Sequence, residues 1–146
     1  MISVRKADRR DFPAICSLMK NELGYPELNE AEAVKRLEYF SNSEDWETFV
    51  AVTGDNIAGF IGVMKGISYT VEGWYAEIAA LAVSEKTRRG GIGTALVGKA
   101  EEWARSHGIR ELGLHSNIKR LEAHLFYEKN DYSKKSYWFY KKLEDK

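Results

Sequence analysis

The residues best suited to chemistry cluster in one stretch, Thr87-Arg88-Arg89-Gly90-Gly91-Ile92-Gly93-Thr94-Ala95-Leu96. Its glycines let the backbone approach a ligand closely and adopt positive φ. The helix formers after them supply an N-terminus with unpaired N–H groups and a partial positive charge. Arg88 and Arg89 add forked, charged donors. Together these make a cradle for a phosphate or pyrophosphate. Two familiar nucleotide motifs do not fit. A Walker A loop needs a lysine that is missing here, and Leu96 stands where a dinucleotide fingerprint needs its third glycine. Without other signals, a helix start with two solvated arginines explains the stretch equally well. A second feature is Glu77, the only acid in the run Trp74-Tyr75-Ala76-Glu77-Ile78-Ala79-Ala80-Leu81-Ala82-Val83. A carboxylate inside such a run must face solvent, a cleft or a partner. His107, His115 and His124 lack metal-ligand spacing, so no metal is expected. Cys16 falls on an apolar helix face and reads as core.

These residues need elements to position them. Ile2 to Arg5 alternates like a strand, and Phe12, Ile15, Cys16, Met19 and Leu23 then recur at helical spacing. Pro13 suits only the first turn of that helix. Asn29 with Glu32 reads as an N-cap and its reciprocal carboxylate, opening a second helix faced by Ala33, Val34, Leu37 and Phe40. Thr48–Val52 and Ile57–Met64, joined by Gly54-Asp55-Asn56, read as a hairpin. Trp74–Val83 is a long strand leading through the glycine turn into a helix that Gly108 ends. Leu112 to His115 is a short strand, Lys119 to Lys129 a helix, and Tyr132 to Leu143 an aromatic, strand-like tail. The order is β-α-α-β-β-β-α-β-α-β. It implies an α/β (α+β) fold, a mixed and mostly antiparallel sheet with helices on both faces. No repeat or linker interrupts it, so residues 1–146 are expected to form a single domain.

Bulk properties narrow the partners. Of 146 residues, 44% are hydrophobic and 30% charged, and 22 Lys+Arg balance 22 Asp+Glu. A balanced charge argues against nucleic acid or an anionic membrane as partner. No apolar run approaches the roughly 20 residues of a membrane span. The first residues carry no apolar signal core, so the expected location is cytoplasmic.

Arg88-x-x-Gly91-x-Gly93 resembles the R/Q-x-x-G-x-G/A pyrophosphate loop of the GNAT superfamily of acetyl-CoA-dependent N-acetyltransferases. The strand ending Leu81-Ala82-Val83 and the amphipathic helix that follows are similar to the elements flanking that loop in the family. A second segment, Ser116-Asn117-x-x-Arg120-x-x-Ala123-His124-x-Phe126-Tyr127-Glu128-Lys129, resembles the family's S-N-x-x-R-x-x-A-x-x-F-Y-x-x-x-G-F/Y segment. Small bacterial members, including those like aminoglycoside 6′-N-acetyltransferases, show similar forms. Two positions depart from the pattern. Glu85 replaces a frequent proline, and Asp131 replaces the glycine before the final aromatic, where a left-handed conformation is needed.

The resemblance implies a GNAT fold and a co-substrate, acetyl-CoA, with no metal. Arg88, Arg89, Gly90, Gly91, Ile92, Gly93 and Thr94 would hold its pyrophosphate. Leu81, Ala82 and Val83 would bind its pantetheine arm strand-fashion, with Asn117 and Ala123 nearby. In this reading an N–H near Leu81 or Ala82 polarises the thioester carbonyl. An alkyl ammonium has a pKa near 10, so only roughly one amine in a thousand is neutral at pH 7. A base therefore helps, and the resemblance assigns Glu77 to that role and Tyr127 to protonating the leaving thiolate. The acceptor is a small-molecule or peptide amine, placed by resemblance among Glu22, Tyr25, Glu27, Glu30, Tyr69, Glu72, Trp74 and Tyr75. A homodimer is possible through the tail, where Trp138, Phe139 and Tyr140 suit sheet core or an oligomer contact. The alternative to an enzyme is a non-catalytic acyl-CoA-binding module on the same fold.

Overall fold

A computed structural model describing residues 1–144 divides the chain into two compact units, Met1–Leu114 and a second beginning at His115. The first holds β1 (Ile2–Lys6), α1 (Phe12–Glu22), α2 (Glu30–Asn42), β2 (Trp46–Thr53), β3 (Asn56–Ile67), β4 (Trp74–Val83), α3 (Ile92–Ser106) and β5 (Leu112–Leu114). The second holds α4 (Leu121–Lys129).

The sheet runs β1-β2-β3-β4-β5 in sequence order. Its first three pairings are antiparallel and β4–β5 is parallel. On one face, Phe12, Ile15, Cys16 and Leu18 of α1 and Ala33 and Leu37 of α2 pack with Val50, Phe60 and Ala82. The other face meets α3. Ile92, Leu96, Val97, Ala100 and Ala104 form its buried stripe, a spacing that matches an amphipathic helix. The start of α3 is seated on Gly59. A Cβ there would lie 2.8 Å from the Ala82 carbonyl and 3.1 Å from Leu96 Cδ1.

β4 changes face partway along. Gly62 stands opposite Ala80 and Val63 opposite Ile78, which leaves Ala79 unopposed as a bulge. Ala76 accordingly packs with Ala104 and Ile109, whereas Ala82 belongs to the α1–α2 core. Strict alternation would put both alanines on one face. The bulge thus places Glu77 on the face that Ala80 and Ala82 share. β5 pairs only with Ala76, Glu77 and Ile78. Among the described residues, Ala79–Val83 therefore have no strand beside them on that edge.

The entry to α1 is fixed by charge. Arg5 grips Asp11 through two bonds of 2.7 and 2.9 Å, and Asp11 also accepts the Asp8 N–H. Asp11 is buried, and the Arg5 guanidinium holds its carboxyl below the usual carboxylate range.

The structure departs from expectation at three places. Asn29 caps α2 by accepting the Glu32 N–H, but the Glu32 carboxylate turns to Lys35 instead of closing the box. The last β of the order β-α-α-β-β-β-α-β-α-β does not form, and residues 133–144 carry no regular element. Tyr137, Trp138, Phe139 and Tyr140 are all exposed, so Trp138, Phe139 and Tyr140 are not sheet core. Residues 145–146 of the expected 1–146 domain lie outside the described residues.

Candidate active site

The glycine turn begins with a single 3-10 turn, Glu85–Thr87, directly after β4. The chain then alternates hands. Arg89 has φ +71° and Gly91 φ +82°, both left-handed. Gly91 is the N-cap of α3 and no side chain caps the helix. The N–H groups of its first turn are thus left for a ligand. A Cβ on Gly91 would meet nothing within 4 Å, so the space over the turn is open to a ligand. Gly90, Gly93 and Thr94 complete this turn, while the side chain of Ile92 is buried beneath it. These residues fit a pyrophosphate group. Arg88 is exposed yet paired. Its Nη2 donates to Glu22 at 2.7 Å.

Upstream, Ala82 is buried and Leu81 and Val83 are half-buried. With no strand beside them on the β5 edge, their backbone groups suit an extended ligand arm paired strand-fashion. Glu77 is half-buried on β4, across from Met64. Glu77, the strand segment and the turn thus belong to one continuous piece of the first unit.

Asn117, Ala123 and Tyr127 belong to the second unit. Asn117 Oδ1 accepts the Lys119 N–H at 2.9 Å, ordering the approach to α4. Its carbonyl takes a 2.8 Å bond from His124 Nε2, so His124 is tied down, not a loose surface group. Sequence reasoning missed this tie, because the acceptor is a main-chain carbonyl that any residue at position 117 would present. Ala123 is half-buried on α4. Tyr127 packs edge-on against Phe126 and Tyr132. Burial pushes its phenol above the ordinary value of 10.0, against a smaller opposing pull from Arg120. Asp131 takes φ +71°, so it adopts the left-handed conformation required where the resemblance has glycine. Among the described residues no group of three His, Cys, Asp or Glu side chains comes together to hold a metal ion. No described helix is long and apolar enough to cross a membrane.

The sequence pattern of the Acetyltransferase (GNAT) family matches residues 4–132, across both units. The chain belongs to the GNAT acetyltransferase family. It is similar to the aminoalkylphosphonate N-acetyltransferase of Salmonella typhimurium strain LT2, with 31% identity over 132 residues, 90% of this chain and 82% of that one. Among solved structures, a GNAT family acetyltransferase of Staphylococcus aureus is 26% identical with a TM-score of 0.80, covering 97% of this chain and 98% of that one. The aminoglycoside N-acetyltransferase AAC(6')-Iy, solved in complex with CoA, shares the fold at 14% identity and a TM-score of 0.86, over 97% of this chain and 95% of that one. This GNAT chain is an acetyl-transferring enzyme.

Proposed function

We propose that this acetyltransferase moves the acetyl group of acetyl-CoA directly to a primary amine of a small molecule or peptide in a ternary complex, as one catalytic domain. The observation that carries the reading is the uncapped, glycine-lined start of α3 next to a strand edge without a sheet partner. When bound, acetyl-CoA supplies an activated thioester. Residues 88–94 hold its pyrophosphate through backbone N–H groups, with Arg88 and Arg89 adding charge. Backbone groups of Leu81, Ala82 and Val83 orient its arm. An N–H from this edge stabilises negative charge at the carbonyl oxygen. Glu77 takes a proton from the ammonium acceptor, directly or through water. Tyr127 Oη, kept protonated by burial, gives a proton to the departing sulfur.

The similarity to an aminoalkylphosphonate acetyltransferase and to aminoglycoside acetyltransferases supports a small-molecule amine as acceptor. Cytoplasmic action and a homodimer through the aromatic tail belong to the same proposal. The test is CoA release from acetyl-CoA with a panel of aminoalkylphosphonates, aminoglycosides, polyamines and lysine peptides. Turnover on one class names the acceptor. CoA binding by calorimetry without turnover on any amine would favour the binding-module reading.

A further inference from the structure

Glu22 closes α1, at the negative end of the helix dipole, where a carboxylate is disfavoured. Only 14% of its side chain is exposed, so its charge requires partners. Two hydrogen-bond partners lie in the turn between β4 and α3. Its Oε1 accepts Arg88 Nη2 at 2.7 Å, and its Oε2 accepts the Glu85 N–H at 3.1 Å. The 3-10 turn at Glu85 opens at Ser84, whose own side chain makes no cap bond. Glu22 therefore caps, from 63 residues away, a turn that its local sequence leaves uncapped. The same carboxylate holds the arginine that opens the R-x-x-G-x-G stretch.

We propose that Glu22 is a positioning residue for the cofactor turn. It fixes the first backbone N–H of the turn and the Arg88 guanidinium before a ligand arrives. This rests on the reading of residues 88–94 as the pyrophosphate-binding turn. Ordering a loop in advance lowers the entropic cost of binding, so the effect belongs to cofactor affinity and not to turnover. In this role Glu22 acts through Arg88 and residue 85.

The test is a double-variant cycle on the full chain, read by calorimetry with acetyl-CoA and by steady-state kinetics. Glu22→Gln keeps an oxygen for the Glu85 N–H but loses the charge that holds Arg88. It is expected to raise Kd and KM for acetyl-CoA about tenfold and to melt close to wild type. Arg88→Gln alone should weaken binding. Adding Glu22→Gln to it should weaken binding little further, because the two changes remove one shared device. Unchanged or tighter acetyl-CoA binding by Glu22→Gln would overturn the proposal. Fully additive losses in the double variant would do the same, as would a kcat loss with an unchanged KM. If Glu22→Gln melts early, the cycle is read from Glu22→Asp, whose shorter side chain cannot reach both partners and should give the same KM increase. Failure of the wild-type protein to bind acetyl-CoA would remove the turn reading and this proposal together. Wild-type binding with an unaffected Glu22→Gln would remove this proposal alone.

Discussion

The Tyr127 phenol sits where burial favours its neutral form. It therefore keeps its proton through neutral and mildly alkaline pH, as a proton donor must. Tyr127→Phe should lower kcat about 10²-fold with acetyl-CoA affinity within about threefold. Because the phenol titrates above 10.0, Tyr127 should cause no decline in wild-type kcat between about pH 8 and 9.5. A decline there that Tyr127→Phe abolishes would overturn the burial-raised titration, whereas an unchanged kcat in Tyr127→Phe would rule out its role as the acid. Glu77→Gln makes a different pH signature. If Glu77 removes the ammonium proton, its loss should cost roughly 10²-fold near pH 7, and less towards pH 10, where the amine loses its proton unaided. A penalty constant across a kcat/KM–pH profile would point to a structural role. At this scale the sequence reveals residues that share a local motif, such as Arg88 with Gly91 and Asn117 with Tyr127. It hides Glu22, because a bond between residues 66 apart leaves no local period to read.

At the scale of elements, the turn before α3 depends on one glycine conformation. Gly91 at φ +82° occupies a region where a β-branched residue is strained. Gly91→Val should cost about 1–2 kcal/mol of stability, and acetyl-CoA binding should become undetectable by calorimetry. A folded variant that binds normally would refute the cradle. The lock at the start of α1 has its own pH dependence. Arg5 lowers the folded-state pKa of Asp11, so this contribution is fully present above about pH 4, the unfolded value. It is lost as pH falls through the lower folded value. Asp11→Asn should therefore cost about 1–2 kcal/mol at pH 7, a figure reduced because Arg5 is about one-third exposed. The cost should shrink below pH 4, which urea melts at both pH values would check. Strands and helices of the first unit are legible because their apolar residues keep periods of two or of 3.6. The bulge at Ala79 is not, since a run of alanines and aliphatics looks apolar on either face. The tail misleads for a related reason. β-formers such as Tyr137 and Phe139 mark strand propensity, but a strand also needs a paired neighbour, and that is not a local property.

For the whole molecule, the exposed run Tyr137-Trp138-Phe139-Tyr140 is more apolar than solvent-facing surface usually is. Under the homodimer proposal, sedimentation should give twice the chain mass of 16.7 kDa, and Trp138→Ser should shift it towards the monomer. A wild-type monomer at micromolar concentration would exclude the dimer. The balanced charge of 22 against 22 gives no long-range pull on a cationic acceptor, so its capture should depend on local acids and aromatics. Gly59 bears on how such an enzyme changes over time. It contacts no proposed substrate, yet a single added methyl would strike the Ala82 carbonyl and the root of α3. Drift at that position would register in a screen as lost cofactor affinity, far from any residue that binds it. Under the proposed function, one hydrogen atom in the interior, on the α-carbon of Gly59, thus keeps the acetyl donor site heritable.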